Sequence, residues 1–290
     1  MEVLVASFGF GLVTAAVLAI STVGFTMQFG ITDILNLAYG AVLIAGAYVT
    51  YALNQIGVSV WVGLLASGLV GALLSLLLYQ VVYGPFQARH ATRVTMIIVT
   101  LAMAIIITNL TLAVVGPDNV SYAMDSGPML RVGSLELTAA QLGIIAVSIV
   151  VMAAIHGLLT LTRLGKAMRA TACNRNLARS CGIRTQQVIR MTWLISGALC
   201  GIGGTVFAMD AGSFGATSGS LFIVVILAAA VLGGVARPYG AMLGAVLIGI
   251  TTEVSAAIIS PDYKTVVAFV VLLLMMVYRP QGLLVRESAG

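Results

Sequence analysis

The sequence predicts an all-α, polytopic bundle of transmembrane helices, and three observations predict it. Of 290 residues, 60% are hydrophobic and only 8% charged, against roughly 25% charged in soluble domains. Apolar blocks such as Val94 to Val115 run unbroken for the ~20 residues a helix needs to cross about 30 Å of hydrocarbon. Polarity nowhere alternates over the roughly ten-residue stretches of a membrane-spanning barrel. Helices remain as the way to satisfy the backbone in lipid.

Apolar blocks fall at about 4 to 28, 34 to 53, 60 to 82, 94 to 115, 139 to 161, 191 to 211, 220 to 235, 240 to 259 and 265 to 278. These nine blocks, within a range of eight to ten, use up the chain, so residues 1–290 read as a single transmembrane domain. The first block is expected to be a retained span, because the only charge before Asp33 is Glu2 and a secretory signal begins with basic residues. Gly30 to Asp33 forms a turn that suggests a broken or re-entrant helix pair across the first two blocks. Blocks 220 to 235 and 265 to 278 are short: each is a half-helix, or reaches the interface through snorkelling at Lys264 or Arg279. The spacings Gly197 to Gly201 and Gly240 to Gly244 let helices approach closely, as ordinary bundle packing in lipid requires.

Orientation follows from the basic residues. Segments 83 to 93, 162 to 190, 236 to 239 and 279 to 290 hold twelve of the fourteen lysines and arginines. The opposite connections keep Arg131 and Lys264 and gather Glu2, Asp118, Asp125, Glu136, Asp210 and Asp262. The positive-inside rule makes the first set cytoplasmic, with the N-terminus periplasmic and the C-terminus cytoplasmic. It also accounts for the net charge of +5, and the basic residues lack the interleaved aromatics of a nucleic-acid surface. Cys173, Cys181 and Cys200 are an odd set without CxxC spacing, which points to neither a zinc site nor a disulfide framework.

The segment Thr162 to Arg190 reads TRLGKAMRATACNRNLARSCGIRTQQVIR, with seven basic residues and no acid. Its composition favours helix through most of its length, ending at Gly182 as a helix C′ residue. Ala167, Ala170, Cys173 or Asn174, Leu177 and Cys181 recur at spacings of three and four, a narrow small-to-apolar stripe between basic flanks. Such a helix suits an anionic membrane surface or a groove in a partner protein. The chain has no GxxxxGK[ST], so nucleotide hydrolysis would have to come from another chain.

The stretch GFTMQFGITDILNLAYGAVLIAGAYVTY from Gly24 to Tyr51, the loop TRLGKAMRATACNRNLARSCGI, AAAVLGGVARPYGAMLGAVLIG from Ala228 to Gly249, and DYKTVVAFVVLLLMMVYRPQGLL from Asp262 to Leu284 together resemble the permeases of branched-chain amino-acid ABC importers. The resemblance covers nearly the whole chain. It implies a permease subunit, not itself an enzyme, in the bacterial inner membrane. It further implies a second, related permease, two ATPase subunits and an extracytoplasmic solute-binding protein as partners. No cofactor is expected on this chain; ATP and Mg belong to the ATPase subunits. The loop would contain the coupling helix that seats in an ATPase, with Gly165, Lys166, Ala167, Arg169, Ala170, Gly182 and Ile183 standing where the family pattern has them and Arg179 gripping the partner's rim. Two departures are visible. Asn36-Leu37-Ala38 continues with Tyr39-Gly40-Ala41 where the family usually has His-Gly-Glu, and no acid stands near Cys173-Asn174.

Polar residues within spans usually face a bundle interior or a water-filled cavity. The candidates for a substrate path are Asn36, Tyr39, Asn109 and Glu253, the last at a point where family members carry a glutamate. For Glu253 the structural alternative is a buried acid bonded to neighbouring helices; for Asn109, an interhelical hydrogen bond. His156 is expected to bond a backbone carbonyl, and Asp210 to be solvated at the outer boundary. An alternative function is an ion-coupled secondary transporter or channel, with Glu253 or Asp33 binding the ion. A membrane-embedded enzyme would need a histidine or carboxylate cluster, and His90 and His156 lie far apart.

Overall fold

The computed structural model describes residues 2–124, 129–132, 135–258, 260 and 263–278. Asp125, Asp262, Arg279 and Arg286, assigned to connections on one or the other side of the membrane, lie outside the described residues. Helices α1 (Glu2–Thr32), α2 (Tyr39–Gln55), α3 (Val60–Leu78), α5 (Arg93–Val115), α6 (Ala139–Leu161), α9 (Thr185–Ala211), α10 (Ser218–Gly233), α11 (Pro238–Ile258) and α12 (Lys264–Tyr278) fall one to each predicted block. Six of the spans they form are long and apolar enough to cross a membrane unaided; α2, α10 and α12, with 17, 16 and 15 residues, are shorter. The remaining elements are short: α4 (Gly84–Ala88), α7 (Arg163–Cys173), α8 (Arg175–Ser180), and an antiparallel hairpin of β1 (Met129–Val132) and β2 (Leu135–Thr138). The apolar-block pattern did not signal that hairpin.

Burial separates the centre from the rim. The span on α1 is 78% buried and that on α9 67%, whereas those on α5 and α6 are 11% and 22% buried. The outer faces of α5 and α6, with Ile98, Leu101, Ile106 and Val150 exposed, suit lipid or another apolar partner. Around the centre, small residues set the helix spacing. A Cβ on Gly71 would meet the backbone of Gly197 and Gly201, and one on Gly244 would meet Ala229 and Gly233. Both predicted GxxxG pairs therefore lie in helix–helix contacts, α3 against α9 and α10 against α11. Buried hydroxyls add a polar tie: Thr205 donates to Ser67 at 2.8 Å and shares a 2.8 Å hydrogen bond with Thr50, joining α2, α3 and α9.

The predicted turn after α1 is observed, three residues later than Gly30. α1 continues to Thr32 and ends at Asp33, whose φ of 55° places it in the left-handed region that Asp tolerates. Residues 33–38 are non-helical, and α2 starts at Tyr39. α3 does not stop at Leu78 but passes through a π-helical turn, Tyr79–Tyr83, into α4. The wider turn brings Tyr79 and Tyr83 onto one side, where both rings meet Trp193 of α9 at centroid distances of 5.1 and 5.3 Å.

Candidate functional site

Of the segments expected to share a side, 83–93, 162–190 and 236–239 do so, and 279–290 lies outside the described residues. Phe29 to Asp33, Gln87, Thr171, Ala172, Arg175 and Ala236 line one cleft. A second, of about 620 Å³, runs between the ends of α1 and α6, α7 and residues 236–239. A third, of about 780 Å³, is lined by Tyr79, Gln80, residues of α4, His90, Arg175, Arg179, Gln186 and Arg190. One end of the bundle is therefore basic. At the other end, Val120 bridges Phe214, and Asn54 bonds the backbone of Ala123 in both directions. There the Tyr122 hydroxyl donates to the Ala47 carbonyl at 3.0 Å, and burial pushes its phenol above the ordinary range.

The basic segment is two helices rather than one. Thr162 caps α7 by accepting from the Gly165 amide. Asn174 then breaks the run in an extended conformation, and its carboxamide oxygen caps α8 by accepting from the Asn176 and Leu177 amides at 3.1 and 3.0 Å. α8 ends as the predicted C′ glycine requires. Gly182 has φ 82°, its amide donates to Arg179, and the Ile183 amide donates to Ala178, which is a Schellman cap.

This break corrects the predicted stripe, which assumed one helical period from Ala167 to Cys181. Gly165, Met168 and Thr171 form the inward face of α7, with Leu164 and Ala167 packed beside them. A Cβ on Gly165 would strike the backbone of Leu158 and Leu159. Ala170 is half-buried, whereas Lys166, Arg169, Cys173, Arg179 and Cys181 are exposed. Leu177 is 62% exposed, an apolar side chain among cations. Gly165, Ala167, Gly182 and Ile183 thus shape the segment, and Lys166, Arg169, Leu177 and Arg179 present its surface.

The path candidates are dispersed. Asn36 is 2% exposed in the turn between α1 and α2, where its Oδ1 accepts from the Ala38 amide at 3.1 Å and the Tyr83 hydroxyl at 3.3 Å. Tyr39, fully inside, donates to the Ser196 carbonyl at 3.4 Å and meets Phe25 edge-on. Asn109 stands on the exposed face of α5, and its side chain donates to the Ile105 carbonyl of its own helix at 2.8 Å; an interhelical bond is not what it makes. Glu253 lies towards the end opposite the basic face, bonded to Thr14 at 2.9 Å and to Lys264 at 2.6 Å. The structure brings Asn36 and Tyr39 together and leaves Asn109 and Glu253 apart from them.

Other expectations are corrected or refined by neighbours. His156 meets no carbonyl; its Nδ1 shares a 3.0 Å hydrogen bond with the Tyr239 hydroxyl, tying α6 to α11. Asp210 is exposed as expected, yet within electrostatic reach of Glu253 and Lys264. Asp33 pairs with Arg93 at 2.9 Å on the surface. Both carboxylates offered as ion sites are thus already partnered by cations. Single polar residues in spans did not point to Gln28, which meets Ser196 of α9 only by folding, or to Trp193. Gln28 accepts from Ser196 at 3.2 Å, while its amide nitrogen, Nε2, and the indole Nε1 of Trp193 have no partner among the described residues.

Residues 7–276 match the model of the family described as "Branched-chain amino acid transport system / permease component". The chain is 30% identical to the high-affinity branched-chain amino acid transport system permease protein LivH of Salmonella typhimurium, over 96% of this chain and 94% of that one. It is 28% identical to the corresponding permease protein BraD of Pseudomonas aeruginosa, with the same coverage of both chains. A second permease protein of Salmonella typhimurium, LivM, is 27% identical over 90% of this chain and 66% of its own. No solved structure matches.

Proposed function

The chain belongs to the family of permease components of branched-chain amino acid transport systems, and on that premise we propose that it is one of two permeases in an ATP-driven importer of apolar amino acids. Two ATPase subunits drive it through α7 and α8, and an extracytoplasmic binding protein delivers the solute. All nine long helices cross the inner membrane, the short α2, α10 and α12 completing their crossings through non-helical ends. Its basic end is cytoplasmic.

The observation that carries this reading is the gathering of the connections 83–93, 162–190 and 236–239 at one end, where Lys166, Arg169, Leu177 and Arg179 are exposed. An exposed apolar anchor ringed by cations fits a protein partner with an apolar pocket and an acidic rim. Both LivH and LivM of one organism are similar to this chain, which supports a related but distinct sister permease. A coupling ion is disfavoured because Glu253 and Asp33 each have a cationic partner.

The test replaces the surface and spares the cap: Leu177→Arg, with Arg169→Ala beside it. Leu177→Arg should leave the chain paired with its sister permease and abolish co-purification of the ATPase. Arg169→Ala should weaken that association modestly, and more at high salt, as partly exposed charges do. Full retention of ATPase binding and stimulated hydrolysis in Leu177→Arg would sink the docking assignment.

A further inference from the structure

Away from the basic face, a cavity of about 300 Å³ opens between α1, α9, α10, α11 and α12. Much of its wall is apolar: Leu18, Phe207, Phe222 and Val225, with the two phenylalanine rings 4.4 Å apart between centroids. Glu253 and Lys264 also line it. The same Glu253 oxygen, Oε1, accepts from both Thr14 and Lys264, and Asp210 is within electrostatic reach of both charged groups.

This charged array is not closed on itself. Among the described residues, no hydrogen bond reaches Glu253 Oε2, and Lys264 Nζ donates to Glu253 Oε1 alone. Lys264 is also the first residue of α12, at the helix end where the dipole disfavours a cation. Stability does not explain such a group, because an ion pair withdrawn from water gains little over apolar residues of the same volume. The pair remains accessible from the cavity, with the Lys264 side chain 41% exposed and that of Glu253 14%.

We propose that this cavity is a transit site for a zwitterionic amino acid with an apolar side chain. Glu253 receives the α-ammonium, Lys264 receives the α-carboxylate, and Leu18, Phe207, Phe222 and Val225 receive the side chain. The volume lies at the small end of the roughly 300–1,000 Å³ typical of small-molecule sites, which suits a single amino acid and not a peptide. The inference rests on the proposed importer function and assigns it a place in this chain.

The experiment uses the assembled transporter in nanodiscs without its binding protein. Saturation-transfer NMR is run with L-leucine, with 4-methylpentanoate, which lacks the ammonium, and with 3-methylbutylamine, which lacks the carboxylate. A transfer signal for leucine alone is expected, since leaving a charged group of the site unpaired weakens binding by about tenfold or more. Lys264→Gln and Phe222→Ala should each reduce leucine affinity by about tenfold. Equal signals from all three probes, or undiminished leucine binding in both assembled variants, would overturn the site. The analogue comparison needs no variant, so a misfolding substitution does not protect the idea. A parallel arm measures leucine uptake by wild-type proteoliposomes supplied with binding protein. Normal uptake with no direct leucine signal removes this site only; no uptake of any apolar amino acid removes the importer reading and this inference together.

Discussion

At Asn36 the structure gives a definite task to a residue that the sequence marks only as a polar group in an apolar run. Its carboxamide oxygen holds the Ala38 amide and the Tyr83 hydroxyl where α1 gives way to α2, in a buried site. Removing that acceptor strands two buried donors, which costs about 1–3 kcal/mol. Asn36→Ala should therefore lower the melting temperature of the assembled complex and its yield, and Tyr83→Phe should do so less, at about 0.5–1.5 kcal/mol. A double-mutant cycle on the two should show coupling. Unchanged thermal stability with lost uptake in Asn36→Ala would instead make it a path residue. Gly182 was legible as a helix terminator because left-handed backbone favours glycine, whereas Asn174 was not. Its capping role appears only once the chain departs from the helix there.

Among the elements, the closest approaches decide the packing. α3 and α9 meet through Ser67, Gly71, Gly197 and Gly201, with no room for a side chain between backbones. Gly201→Leu should cost more than the about 1–3 kcal/mol of ordinary overpacking, because the obstructing atoms are the Ser67 and Gly68 backbone. Gly157→Ala on α6 is the control: no atom lies within 4 Å of the added Cβ, so it should be neutral or stabilising by up to about 1 kcal/mol. Proteolysis of membranes expressing each variant would compare them, and comparable resistance of Gly201→Leu and wild type would refute the contact. The helices themselves followed from block length and apolarity. The split of 162–190 into α7 and α8 did not, because a spacing of three and four within basic sequence is equally compatible with one helix or two.

For the whole molecule, the structure places the basic connections 83–93, 162–190 and 236–239 at one end of the bundle, and the positive-inside rule then predicts which end faces the cytoplasm. On a background lacking Cys173, Cys181 and Cys200, a cysteine at Asp118 should react with an impermeant maleimide from the periplasmic side. One at Arg175 should react only after the membrane is opened; the reverse pattern would invert the topology. Asp118 is exposed and Arg175 half-buried in the fold. The sequence by itself determined the solvent of this chain, the positions and order of its apolar helices, the segregation of its charges and its family pattern. These are local or additive properties: hydropathy over about 20 residues, counts of lysine and arginine per connection, and short motifs in a fixed order. Only the tertiary structure decided which polar residues meet. It separated Asn109 from Asn36, turned His156 towards Tyr239, and set Lys264 beside Glu253 over a largely apolar cavity. A hydrogen bond or an ion pair between helices depends on rotation and offset to within a few tenths of an ångström, and those quantities are fixed by small-residue contacts hundreds of residues apart in the chain.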